Sequence, residues 1–99
     1  MKTLNSIQRS FLKGKAHHLI PIVRIGKKGL SKGTFHTIQA ALSSKELIKI
    51  KFSEYKDNKK EISENISIET QSNIIGIIGH ILILFKQNSD PDKQKYMLP

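Results

Sequence analysis

The sequence predicts a two-layer α/β fold with the element order α-β-α-β-α-β-β and a four-stranded mixed sheet in the strand order 1-2-4-3. Segments with helical spacing alternate with short β-branched runs, and Gly79-His80 joins the last two runs as a tight hairpin would. The final run, Ile81 to Phe85, is apolar on both faces, which is typical of a central, covered strand. Right-handed crossovers then place the second and third helices on one face of the sheet, and leave the other face to the first helix.

The first helix and the first strand lie between residues 4 and 25. Leu4 to about Ala16 has helical spacing, and Asn5 or Ser6 can cap its start. Its apolar stripe is expected to consist of Leu4, Ile7 and Phe11. Leu19 to Ile25 is predicted as a strand at the edge of the sheet, because Pro21 near its start has no N–H to donate.

The second helix is predicted from Ser31 to about Ser43, and the second strand from Leu47 to Phe52. The buried stripe of this helix should consist of Phe35, Ile38 and Leu42. The strand alternates cleanly: Ile48, Ile50 and Phe52 face one way, and Leu47, Lys49 and Lys51 face the other. One side of this strand therefore packs in a core, while the other presents lysines.

The second half of the chain supplies one helix, two strands and a tail. Lys59 to about Thr70 is predicted as the third helix, and because it carries three glutamates we expect it to lie away from any nucleic acid. Ile74 to Ile78 and Ile81 to Lys86 are the hairpin strands. Residues 1–86 should form one domain, and residues 87–99 a C-terminal tail that is expected to be mobile up to Lys95.

Charge is distributed unevenly along the chain. Residues 1–51 carry a net charge of +10, and residues 52–99 carry −1. A one-sided basic surface of this kind favours a polyanionic partner. Aromatic residues make up only 6 % of the chain, which disfavours base-stacking platforms and leaves contact with the nucleic-acid backbone as the expected mode.

Other classes of protein are disfavoured by composition. The absence of cysteine excludes disulfide frameworks and thiol chemistry, and the four histidines are not accompanied by a carboxylate cluster, so no metal or other cofactor is expected. No nucleophile–base pair or Walker motif is present, which argues against an enzyme. The longest apolar run is too short to span a bilayer, and a cytoplasmic monomer is expected.

The stretch from Gly26 to Ser31 carries the most specific signal. Two lysines lie between two glycines, and Ser31 can cap the following helix, whose N-terminal amides favour an anion. Glycine allows positive φ and close approach of a sugar-phosphate chain. The candidate RNA-contacting residues are Gly26, Lys27, Lys28, Gly29, Ser31, Lys32, Arg24, Arg9, Lys13 and Lys15. An ordinary turn with solvated lysines, and a peripheral protein of anionic membranes, remain alternatives.

With these residues in place, the chain resembles the YhbY family, the stand-alone bacterial form of the CRM domain. The resemblance spans residues 4–86 and rests on the blocks Leu12-Lys13, Ala16-His17, Pro21-Ile22-Val23, Ile25-Gly26-Lys27-Lys28-Gly29-Leu30-Ser31, Ala41-Leu42, Glu46-Leu47-Ile48-Lys49-Ile50, Ile78-Gly79 and Leu84-Phe85-Lys86. It implies a fold like the C-terminal domain of translation initiation factor three, an RNA-binding GxxG loop, and association with precursors of the large ribosomal subunit. A general binder of structured RNA is the alternative.

Overall fold

The predicted order of helices and strands is confirmed by a computed structural model, which describes residues 3–99. The helices are α1 (Ser6–Ala16), α2 (Lys32–Lys45) and α3 (Lys59–Thr70). The strands are β1 (Val23–Ile25), β2 (Leu47–Phe52), β3 (Asn73–Ile78) and β4 (Ile81–Phe85). Short 3₁₀ turns occur at Lys56–Asn58 and Pro91–Lys93.

The four strands form one mixed sheet in the order β1-β2-β4-β3, as predicted. β1 is parallel to β2, while β4 is antiparallel to both of its neighbours. β1 lies at an edge but begins later than the predicted Leu19, because the Leu19 N–H still donates to Ala16 O at the end of α1. Pairing with β2 starts only after Pro21, where the Ile22 N–H donates to Lys49 O.

Each face of the sheet has its own core. On one face α2 and α3 cover the alternate side chains of the central strands, in a cluster that includes Ile38, Leu42, Ile48, Ile50, Phe52, Ile66, Leu82 and Leu84. On the other face α1 packs over the opposite set, in a cluster of Leu4, Leu12, Ala16, Leu47, Ile75, Ile83 and Phe85. α1 therefore adds a third layer to the sheet and its α2–α3 layer.

The expected apolar stripe of α1 is only partly correct. Leu4 is buried and Phe11 is half-buried, but Ile7 is 68 % exposed. The residues of α1 that face the sheet are Leu12 and Ala16, which lie one helical turn apart. The helix begins as a capping box, in which the Asn5 side chain accepts from the Gln8 N–H and the Gln8 side chain accepts from the Asn5 N–H.

The tail beyond Phe85 is held against the domain, in contrast to its expected mobility. The carboxylate of buried Glu46 accepts from the backbone N–H groups of Asn88, Lys95 and Tyr96. The Tyr96 ring also packs edge-on against Phe85, with 6.2 Å between ring centroids. Glu46, the residue that follows α2, has a φ of 65° and is buried, so its carboxylate meets the tail beneath the surface and away from water.

Candidate nucleic-acid interface

The Gly26–Gly29 loop is a closed turn at the end of β1. The Gly29 N–H donates to Gly26 O at 2.9 Å, which joins the ends of the four-residue turn. Gly29 has a φ of +65°, the left-handed conformation that favours glycine, whereas Gly26 does not have a positive φ. The expected positive φ is therefore found at Gly29 and not at Gly26. Lys27 and Lys28 at the tip of the turn are exposed.

The start of α2 lies directly behind this turn. Ser31 is the N-cap, and its Oγ accepts from the Thr34 N–H at 3.1 Å. The amides of Lys32 and Gly33 belong to the first turn and have no acceptor within the helix, because no carbonyl precedes them at the required distance. The first turn also contains no acidic residue. Exposed amides, the positive end of the helix dipole and an adjacent lysine pair make this a suitable position for a phosphate.

Tyr55 supports the loop, and the sequence prediction missed it. Its hydroxyl donates to Lys27 O at 2.7 Å, and its ring lies against Gly29, where a Cβ would come within 3.6 Å of the ring. Tyr55 itself has a left-handed φ of 56°. The contact joins residues 28 positions apart, so no local pattern could reveal it. Tyr55 holds the turn in shape from the neighbouring loop.

Further cations lie at the same end of the sheet as the loop. Arg24 on β1 lies two residues before the Gly26 turn, and it is paired in register with Lys51 on β2. The β3–β4 turn is also at this end, where Lys59 Nζ donates to Gly79 O. Partial desolvation, and then the positive charges of Lys59, Lys56 and Lys51, lower the pKa of His80. Desolvation is the larger cause, and the smaller, electrostatic part of the shift reflects the three lysines near the β3–β4 turn.

The three candidate cations on α1 point in different directions and make different contacts. Arg9 is half-buried and donates to the backbone oxygen of Ile74 on β3. The Lys15 ammonium lies 5.4 Å from the centroid of the Phe11 ring on the same helix. Lys13 lies over β3, since a Cβ added at Gly76 would approach its Cε to 3.0 Å. Lys13 and Lys15 are separated by roughly 200° around the helix, so α1 does not present all three cations on one side.

Among residues 3–99, no three histidine, aspartate or glutamate side chains come together in a group that could hold a metal ion. None of the helices described in that range has the length and apolar character needed to cross a membrane.

Comparison with known proteins gives a consistent family. The family model of the CRS1/YhbY (CRM) domain matches residues 4–86. A Haemophilus influenzae protein named "RNA-binding protein" is 39% identical, and the match covers 100% of this chain and 98% of that one. The Bacillus subtilis protein YqeI, named as a probable RNA-binding protein, is 32% identical over 88% of this chain and 92% of its own.

A solved structure agrees with this grouping. The solution structure of a Staphylococcus aureus protein, for which RNA binding has been proposed, superposes with a TM-score of 0.81 at 30% sequence identity. That comparison covers 98% of this chain and 100% of the other. The resemblance found in the sequence blocks is thus confirmed along nearly the whole chain, and the protein belongs to the CRS1/YhbY (CRM) domain family.

Proposed function

We propose that this protein binds structured RNA through the Gly26–Gly29 loop and the N-terminus of α2. One observation carries the proposal: an exposed lysine pair lies on a closed turn directly in front of a helix start that has free amides and no acidic residue. Arg24 and Lys32 extend this positive surface. Lysine binds phosphate as a point charge without reading bases, so the contact would follow backbone shape rather than sequence.

The RNA in this proposal is that of the large ribosomal subunit or its precursor particle, bound in the cytoplasm during assembly. Support comes from family membership, because the resemblance to the YhbY group implies association with such precursors. The names of the relatives extend only to RNA binding. The role is binding rather than catalysis, and we expect the protein to act as a monomer.

The proposal is tested by the double change Lys27→Ala/Lys28→Ala. We expect weaker binding to unrelated structured RNAs by a similar factor, and a salt dependence of the association constant that is reduced by about 1–2 units on a log–log plot. In a sucrose gradient of cell lysate, the wild type should migrate with large-subunit particles and the variant should stay at the top.

The matched control removes two lysines of the C-terminal tail that lie near the C-terminal end of α2. Lys93 and Lys95 lie beside Ser43 and Ser44, roughly 20 Å along the helix from the loop. Lys93→Ala/Lys95→Ala changes net charge equally and should leave the salt dependence closer to that of the wild type. Equal losses in both variants would show that only net charge matters, and would refute the loop as the binding site. Wild type remaining at the top of a low-salt gradient would refute the ribosomal partner.

A further inference from the structure

A row of side chains crosses all four strands on the α1 face of the sheet, at the end that carries the Gly26–Gly29 loop. Strand register places Arg24 beside Lys51, Lys51 beside Ile81, and Ile81 beside Ile78. The neighbours of Arg24 and Lys51 along their strands pack in the α2–α3 core, so alternation directs these two cations to the opposite face. With strands about 4.8 Å apart, the row is roughly 14 Å long.

α1 leaves this row uncovered. Its buried residues lie over the other half of the face, where they pack with Leu47, Ile75, Ile83 and Phe85. Ile78 is consequently 59 % exposed, Arg24 is exposed and Ile81 is half-buried. Ile78 and the half-buried Ile81 lie side by side in the pairing of β3 with β4, and together they leave a small apolar surface next to the two cations.

A hollow lies between α1 and the isoleucine end of the row. Its volume is about 160 Å³, and it is lined by Lys13, His17, Lys49, Ile78, Ile81 and Ile83. This volume is well below the roughly 300–1,000 Å³ of pockets that hold whole small molecules, and it suits a single ring. The floor is aliphatic and the rim is cationic. Lys49 supports the rim, because its ammonium donates to the backbone oxygens of His17 and Leu19.

The charge around the hollow points to one class of occupant. Neither α1 nor any of the four strands contains an aspartate or a glutamate. The exposed Lys13 and Arg24 and the half-buried Lys51 therefore have no carboxylate nearby on the elements that bear them. A polyanion that carries flat apolar rings satisfies both the rim and the floor, and RNA is such a polymer.

Building on the proposed function, we propose that the hollow receives one unpaired base of the RNA whose backbone is held by the loop. The base lies on Ile78 and Ile81, and the adjoining phosphates contact Lys13 on one side and Lys51 and Arg24 on the other. Continuity supports this path, since Arg24 is two residues before the Gly26 turn. The loop would then supply affinity for any RNA backbone, and the hollow would select RNA that has an unpaired nucleotide at the matching distance.

The test compares two short RNA duplexes that differ by a single unpaired nucleotide near the centre, with 2-aminopurine at that position. We expect the wild type to bind the bulged duplex about tenfold more tightly than the fully paired one, as burial of one base against apolar side chains allows. Binding should also change the 2-aminopurine fluorescence. In Ile78→Thr/Ile81→Thr, which keeps β-branched residues on both strands, the preference should disappear while affinity for the paired duplex is retained.

The control is Ile68→Thr, a change at another exposed isoleucine, which lies on α3 at the opposite face of the sheet. It should retain the tenfold preference. Equal binding of both duplexes by the wild type, or a preference that survives the double change, would overturn the hollow as a base site and leave the proposed function standing. Failure to bind either duplex would instead refute the proposed function. Self-association that depends on Ile78, seen by sedimentation, would assign the row to a second copy and overturn the base site.

Discussion

The two glycines of the loop differ in backbone conformation. Replacing each of them by alanine therefore distinguishes the effect of backbone strain from the effect of steric contact. Gly29 has a φ of +65°, whereas Gly26 has no positive φ and an added Cβ there would meet nothing within 4 Å. At Gly29 an added Cβ would make only ordinary contact with the Tyr55 ring at 3.6 Å. Gly29→Ala therefore introduces backbone strain without a steric clash, and Gly26→Ala introduces neither.

The expected magnitudes follow from these geometries. A left-handed conformation costs an L-residue with a Cβ about 1–2 kcal/mol relative to glycine. Gly29→Ala should lower the free energy of unfolding by that amount, which corresponds to a decrease in Tm of roughly 5–15 °C for a domain of this size. Gly26→Ala should leave stability unchanged or raise it by up to about 1 kcal/mol, because alanine reduces the entropy of the unfolded chain.

Urea unfolding at unchanged m-value measures both effects on stability, and a filter-binding titration with structured RNA measures the binding that we propose for the loop. We expect Gly29→Ala to weaken binding, since relief of the strain reshapes the turn that carries Lys27 and Lys28. Gly26→Ala should weaken binding only if the RNA backbone passes close to that residue. Equal destabilisation by the two changes would contradict the assigned turn geometry, and unchanged binding in Gly29→Ala would refute the turn's shape as a requirement.

Three further outcomes follow from single contacts. Tyr55→Phe removes the hydrogen bond to Lys27 O and should lower the free energy of unfolding in urea by about 0.5–1.5 kcal/mol. It should also weaken RNA binding several-fold. An unchanged RNA affinity would show that the tyrosine has a purely structural role. Glu46→Ala leaves three backbone N–H groups of the tail without their acceptor and should lower the free energy of unfolding by about 2–3 kcal/mol. Limited proteolysis should then cleave the variant within residues 87–99. Resistance to the protease would show that other contacts are enough to hold the tail. The pKa of His80 lies below its ordinary value of 6.5, so folded His80 takes up its proton at a lower pH than the unfolded chain does. In an NMR titration Lys59→Met should move this pKa upward, and bound RNA should do the same. An unchanged pKa in both experiments would show that desolvation alone lowers it and that the lysine charges do not contribute.

The fold was predictable because its determinants are local. Alternation along Leu47–Phe52 assigns both faces of β2 correctly, and the doubly apolar Ile81–Phe85 places β4 in the centre of the sheet. Errors arose where two local rules compete. Ile7 fits an apolar stripe as well as Leu12 does, and only the position of α1 across the sheet determines that Leu12 is buried.

The loop could be identified from the sequence because its parts are adjacent, whereas the rest of the candidate site comes from distant residues. Tyr55 reaches Lys27 from the loop that follows β2, and no spacing rule connects those positions. The tail behaves in the same way, since its polar composition predicts mobility, whereas the distant residues Glu46 and Phe85 hold it in place.

The divergence of the α1 cations changes how a basic half of a chain should be interpreted. Net charge along the sequence predicts that a polyanion is bound, but the fold decides which cations are available to it. Arg9 donates a hydrogen bond to a backbone oxygen of β3. Lys51 was not among the candidate RNA-contacting residues, and it lies beside Arg24 at the loop end of the sheet. The cations that lie near the loop are therefore contributed mainly by strands and turns rather than by α1. A binding surface built on a sheet is rigid, so the distance between the loop and the isoleucine hollow is set by strand register. That fixed distance is what would allow a protein with few aromatic residues to distinguish one RNA shape from another.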